Sequence, residues 1–328
     1  MVTVTYAFTG LMECVRIMEF SVLFGIDTET DIGSFTPFYN GVEKGIPLLL
    51  KLFDQKKILA TFFWVAETAQ IYPVLVKEVE KRGHEIGCHT IHHETIGDQL
   101  FDIPLVKPVL PEEVPFRLKK ATEMIGAIIG HQPLSFRAPR LWGSTIMINT
   151  LEELGYLADA SYPMYYFKKQ LTPYHPSREN WTEPGSLHLL EIPNFADLTL
   201  ESYDPYGRDR DQWPLFRTEG STVFMKHIQN MIDFLTIKQL PMIFCFYFHP
   251  WEFIEMPKRL TYGEAAIEPV PFITKNCGQK ALHELSVIID ALHESGARFT
   301  TAERLARNWM MEGKRINDSV TAYRGRKW

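Results

Sequence analysis

The sequence has only four cysteines, Cys14, Cys88, Cys245 and Cys277, and no two form a Cys-x-x-Cys pair. They read as unpaired thiols, with Cys88 and Cys245 inside apolar runs, which points to a reducing compartment. No apolar run reaches membrane-helix length, so no transmembrane segment is expected. The opening residues lack a basic stretch ahead of an apolar one, so they do not read as a secretion signal, and a cytoplasmic protein is expected. A basic excess is also missing: 34 Lys and Arg stand against 40 Asp and Glu, a formal net charge of −6. That balance does not suggest a nucleic-acid partner and leaves a small-molecule or saccharide substrate. Self-association as a homo-oligomer stays open. Internal repeats and linkers are absent too. With 45% hydrophobic residues in 328, the chain can bury one large core.

What is present is an alternation of short apolar runs with helical patterns. Runs at 20–26, 60–65, 84–88, 134–139, 155–159, 187–192, 242–248 and 297–299 read as strands. Helical spacing falls between them, at 41–55, 72–83 (stopped by Gly83), 112–129, from a Ser144 cap to Gly155, at 221–238, through Leu282, Leu285, Ile289 and Leu292, and after Thr301. Repeated strand–helix units imply a parallel sheet, open or closed into a barrel. The expected division is an extension over 1–17, a single domain over 18–312 and a basic tail over 313–328. Two Pro-containing aromatic segments, 160–218 and 250–277, break the rhythm and are expected to form functional loops.

Polar residues gather where strands end. Four of the 11 histidines lie within 84–94. His89 and His93 stand four apart, which on a helical turn places both on one side, able to grip one metal ion. Asp27, Glu29 and Asp31 follow the first strand and, in extended chain, face the same way. One could ligate a metal while another serves as a base. Arg137 ends another strand and could hold such a carboxylate ionised. His249 ends the most apolar strand, where a histidine is either a satisfied core residue or a general acid.

Taken together these stretches resemble the NodB-homology polysaccharide deacetylases, over about Phe20 to Ala306. The resemblance rests on His89-Thr90-Ile91-His92-His93 for the family's His-(Ser/Thr)-x-x-His motif, on Thr61-Phe62-Phe63, on Arg137-Ala138-Pro139 for Arg-x-Pro, and in part on Tyr247-Phe248-His249 for Leu-x-His. It implies a distorted, incomplete (β/α) barrel with long loop insertions, and metal-dependent amide hydrolysis. It also implies His89 and His93 as metal ligands, with His92 excluded, and His249 as general acid. The first motif departs from the usual adjacent aspartates. Its Asp27-Thr28-Glu29 form resembles a branch containing peptidoglycan deacetylase-like and allantoinase-like proteins. By that likeness Asp27 is the base and Glu29 the third ligand of a divalent ion, zinc, with Asp31 as a rival ligand.

The expected reaction is removal of an N-acyl group, N-acetyl foremost, from an amino sugar or a sugar-containing polymer or precursor. The alternatives are a cyclic amide or imide hydrolase, allantoinase-like, and a non-catalytic binding protein on the same scaffold. Pro139, Trp142, Tyr165 and Trp251 are the expected substrate contacts. A wider aromatic set (Tyr162, Tyr166, Phe167, Tyr174, Trp181, Tyr203, Tyr206, Trp213) would either wall the substrate or pack the insertion.

Overall fold

The computed structural model describes residues 20–311; the N-terminal extension, Cys14 and the basic tail lie outside the described residues. The apolar runs form a parallel sheet of β1 (Phe20–Thr28), β2 (Thr61–Trp64), β3 (Glu85–Cys88), β4 (Ser135–Phe136), β5 (Ala158–Asp159), β6 (Leu190–Glu191), β7 (Met242–Phe248) and β10 (Arg298–Thr300). A separate antiparallel hairpin, β8 (Leu260–Tyr262) and β9 (Ala265–Ile267), sits in the late insertion. Every residue of β1 is buried, as a central parallel strand requires.

Register shows how the sheet curls. β7 pairs with β1 along residues 20–26 on one edge. On the other edge β10 takes residues 21–23 and β2 takes 25–28. The order then runs β2–β3–β4–β5–β6. An isolated parallel bridge from Asn194 to Cys245 brings the chain after β6 back to β7. The result is an incomplete barrel, closed there by a single bridge instead of a ladder.

The two-residue period of the strands sorts side chains into two layers. Val22, Phe24 and Ile26 of β1 face outward, with Phe62, Phe136, Phe244, Phe246 and Phe248, against the helices. Leu23, Phe63, Ala158, Leu190, Ile243 and Cys245 face inward and meet Ala302, Leu305 and Ala306 of the last helix, 302–311. That helix plugs the floor. Its first amides are capped by the barrel: Ala302 N donates to Thr61 Oγ1 at 3.0 Å, and Glu303 N to both carboxylate oxygens of Glu85. Among the described residues no helix is long and apolar enough to cross a membrane.

Most expected elements appear, with informative differences. The strand at 242–248 has the expected bounds, and Ser144 Oγ accepts from Met147 N at 3.2 Å as a cap. The strands expected at 134–139, 155–159 and 187–192 shorten to two residues each. The helix expected from 41 opens as a π-turn, Gly41–Gly45, before the α-helix Ile46–Lys56. Here the chain presses against the end of β7, where a Cβ on Gly45 would lie 2.1 Å from Pro250 O. An unexpected helix, Ala66–Ile71, precedes Pro73–Lys81; Pro73 pushes Tyr72 out of helical geometry (φ −121°) and separates the two.

The upper barrel interior is polar. Arg137, wholly buried just past β4, occupies the space a side chain at position 25 would need: a Cβ on Gly25 would fall 2.1 Å from Arg137 Nη1. Gly25→Ala is therefore expected to lower the unfolding free energy by about 1–3 kcal/mol, as overpacking does. A urea midpoint unchanged from the parent would show that Arg137 can vacate this space at no cost.

Candidate active site

The turn after β3 brings His89 and His93 together. The residues are those the spacing picked out, but the geometry is not the expected helical turn. Thr90 and His93 both adopt left-handed backbone (φ 68° and 60°), and the rings meet at 5.1 Å between centroids. Glu29, just past β1, completes the group: one ligand atom from each of Glu29, His89 and His93 lies within 4.8 Å of the others. Metal–ligand bonds of 2.0–2.1 Å at a tetrahedral ion require about 3.4 Å between donors, and the observed His89–Glu29 and His93–Glu29 separations of 3.9 and 2.5 Å bracket that.

The donors are prepared for a cation. His89 Nδ1 donates to the Arg137 carbonyl at 2.7 Å, which fixes the tautomer and leaves the Nε2 lone pair toward Glu29. Burial pushes His89 down to about 4, so the ring is neutral at ordinary pH. Burial alone would raise Glu29, but the neighbouring His93, His249 and His89 hold it near 2. Its buried Oε2 lies 2.5 Å from His93 Nε2, an ion-pair contact without hydrogen-bond alignment. A buried carboxylate gathered with two imidazoles is a donor set that fits a divalent cation.

Asp31, the rival ligand, is engaged elsewhere. Its Oδ2 accepts from Asn40 N and Nδ2 at 3.1 and 3.2 Å, and its Oδ1 from Gly41 N at 2.7 Å. The strand ends at Thr28, so the shared direction expected for Asp27, Glu29 and Asp31 does not extend to Asp31. Ile32 and Gly33 turn in left-handed backbone, and Asp31 ties that loop down.

Asp27 ends β1 on the barrel's inner side and pairs with Arg137 Nη1 at 2.8 Å. Arg137 also donates to the Ala160 carbonyl (3.0 Å), Asn194 Oδ1 (3.2 Å) and Cys245 Sγ (3.2 Å), and lies over the Phe63 ring. His249, one residue beyond β7, stacks on Trp251 at 5.4 Å. Its Nδ1 donates to Glu252 Oε1 at 3.0 Å, and Glu252 is held by the buried Arg217 at 2.6 Å. Burial opposes a charged His249, but Glu252, then Glu29, push it up to about 9. This ring is an imidazolium at neutral pH, able to donate a proton.

Asp27, Glu29, His89, His93 and His249 line one pocket of about 200 Å³, partly open to solvent. Its walls come from Ile32 and Phe35, Phe101 and Ile103, Tyr165, the segment 208–213, Trp251 and Ile273. Tyr165 and Trp251 thus stand where substrate contacts were expected. Trp142 does not: it is fully buried behind Phe101, ring to ring at 5.4 Å, and Pro139 is buried in the turn before it. In the aromatic insertion Tyr162, Tyr174 and Trp181 pack against one another and are buried, Tyr203 is exposed, and Trp213 lines the pocket. Sequence reasoning gave no role to Glu252, Arg217, Asn194 or Asp211. Glu252 stands three residues after His249, a spacing that could have raised it. Nothing in the local sequence marks the others.

Comparison with known proteins agrees with this architecture. The family model described as polysaccharide deacetylase matches residues 34–158. A peptidoglycan-N-acetylglucosamine deacetylase of Bacillus cereus is 32% identical over 170 residues, 51% of this chain and 68% of the relative. A peptidoglycan deacetylase of Helicobacter pylori is 28% identical over 176 residues, covering 50% of this chain and 56% of the relative. Among solved structures, Puue allantoinase superposes with a TM-score of 0.58 at 18% identity, over 89% of this chain and 90% of its own. That likeness concerns the fold. The chain belongs to the polysaccharide deacetylase family, hydrolases that act on amide bonds.

Proposed function

We propose that the protein hydrolyses an N-acyl bond, N-acetyl foremost, on an amino sugar, using zinc or a similar divalent ion held by Glu29, His89 and His93. The observation that carries this reading is the convergence of that trio with the Asp27–Arg137 and His249–Glu252 pairs in one pocket. The bound ion would supply Lewis acidity to the acyl carbonyl and the attacking water. Asp27 takes the water's proton, with its carboxylate oriented by Arg137. His249 then gives its Nε2 proton to the departing nitrogen, while Glu252 stabilises the imidazolium through Nδ1. The named activities of the Bacillus and Helicobacter relatives support a saccharide substrate.

One observation favours a second reading, a cyclic amide or imide hydrolase. Wall residues come from six stretches of chain around a pocket of about 200 Å³, a size that suits a small ring. A binding-only role requires neither a fixed base nor a charged acid, and gains no support from the two ion pairs.

Elemental analysis of the purified protein should find close to one divalent ion per chain, lost in the His89→Ala/His93→Ala variant. Little metal in both, persisting after loading, would sink the mechanism. His249→Ala should lower kcat on N-acetylglucosamine oligomers by roughly 10²–10⁴; an unchanged rate would remove the acid role.

The pH dependence has a definite sign. His249 must be protonated to act, so activity is present below its pKa and lost as pH rises through it; in the metal-free protein that value is about 9. Glu252→Gln removes the carboxylate that raises this value. The alkaline limb, and the imidazole titration seen by NMR in metal-free protein, should both move to lower pH. A titration that stays in place would show that Glu252 does not tune the ring.

A further inference from the structure

The wall formed by 208–213 and β7 has hydrogen-bonding capacity that the proposed chemistry leaves unused. Asp211 follows the turn Arg208–Arg210, bridges to Ala196, and lines the pocket while 8% exposed. The Tyr247 hydroxyl donates to its Oδ2. Its Oδ1 is buried with no well-aligned hydrogen bond; the backbone amides of Gln212 and Trp213 are the carboxylate's other polar neighbours. Trp213 and Trp251 line the same pocket, and the indole N–H of each is likewise buried without an acceptor. Buried polar atoms are nearly always paired, so a group of orphans lining one cavity points to a ligand that pairs them.

Their position is fixed. Gln212 Nε2 donates to the Tyr247 carbonyl at 2.8 Å, tying the segment to β7. Tyr247 precedes His249 by two residues, so both point into the barrel mouth. The Tyr247 ring lies 6.0 Å from the His249 ring and 6.0 Å from the Arg137 guanidinium. The carboxyl that the Tyr247 hydroxyl holds lines the same pocket as His249 and Asp27. Burial pushes Asp211 up to about 6, against the Tyr247 hydroxyl, Arg208 and the backbone amides of Trp213 and Gln212; in its ionised form the carboxylate only accepts.

We infer that Asp211, oriented by Tyr247, is a specificity-determining residue that accepts a hydrogen bond from an O–H or N–H donor on the substrate next to the scissile amide. On an amino-sugar amide that donor is the ring hydroxyl adjacent to the N-acyl carbon, and the same hydroxyl can accept from an indole N–H. A plain N-acyl amine without such a group leaves the carboxylate buried and unpaired and is rejected for that reason. The inference rests on the hydrolase reading for the reaction, but the contact itself can be tested separately.

The test uses two matched pairs: N-acetylglucosamine with its 3-deoxy analogue, and hydantoin with 1-methylhydantoin. Each is assayed by kcat/KM with the parent protein, Asp211→Asn and Tyr247→Phe. The parent should prefer the donor-bearing member of the pair it hydrolyses by at least about tenfold. In Asp211→Asn the Tyr247 hydroxyl claims the amide oxygen and turns the NH2 toward the pocket, so the preference should fall to near unity or invert. Tyr247→Phe should reduce it, and serves as the second variant if Asp211→Asn does not fold. A preference that survives both substitutions, or one the parent lacks, overturns the inference and leaves the hydrolase reading intact. Where neither pair is hydrolysed, the inference is decided by calorimetric binding of the same pairs: a parent preference in Kd abolished in Asp211→Asn supports it, and equal or absent binding overturns it.

Discussion

A fully buried arginine inside the barrel organises this molecule. An unpaired guanidinium there would cost many kcal/mol, and removing one partner of a buried pair typically costs about 3–5 kcal/mol. Arg137 is satisfied from every side: Asp27 on β1, the carbonyl of Ala160 beyond β5, Asn194 beyond β6, Cys245 on β7, and the Phe63 ring on β2. These contacts span the side where β4, β5 and β6 are two residues each and closure is a single backbone bridge. The guanidinium does there what a hydrogen-bonded ladder would do in a complete barrel. Its space exists only because position 25 has no side chain.

The same residue sets both halves of the candidate site. Through its side chain Arg137 orients Asp27; through its carbonyl it fixes the His89 tautomer. A second buried arginine acts on the other side. Arg217 pairs with Glu252 and donates to the carbonyls of Phe272, Ile273 and Lys275, so the late insertion is pinned to the same carboxylate that charges His249. One arginine orients the carboxylate on β1, and the other, through Glu252, favours a protonated imidazole after β7.

Much of this was legible in the sequence because parallel strands leave plain signatures. The apolar runs gave the strands, and the polar residue at each end gave Asp27, Glu29, His89, Arg137 and His249, all of which meet. The limits are equally physical. The i, i+4 spacing of His89 and His93 suggested a helix, but left-handed Thr90 and His93 give the same convergence in a tighter turn. Asp31 shares the parity of Asp27 and Glu29, yet parity holds only while the chain is extended, and the strand stops at Thr28. Trp142 looked like a substrate platform, but an aromatic residue beside a site is as often its backing, and this one supports Phe101. Arg217 and Asp211 lie in an insertion without periodicity, and their partners are 35 and 36 residues away.

That division separates chemistry from selection within the pocket. The groups proposed to move protons stand at strand ends, where register and pairing fix them. The groups proposed to judge a substrate hang on loops, held to the barrel by a few directed bonds such as Gln212 to the Tyr247 carbonyl. Phe35, Phe101, Ile103 and Ile273 give the pocket apolar wall, whereas Asp211, Trp213 and Trp251 bring buried polar atoms without well-aligned partners. Apolar contacts discriminate weakly by shape; a buried, unpaired acceptor discriminates strongly, because the wrong substrate leaves it unpaired. Selectivity in this well should therefore reside in the few polar atoms near the reacting bond more than in the larger aromatic surface around them.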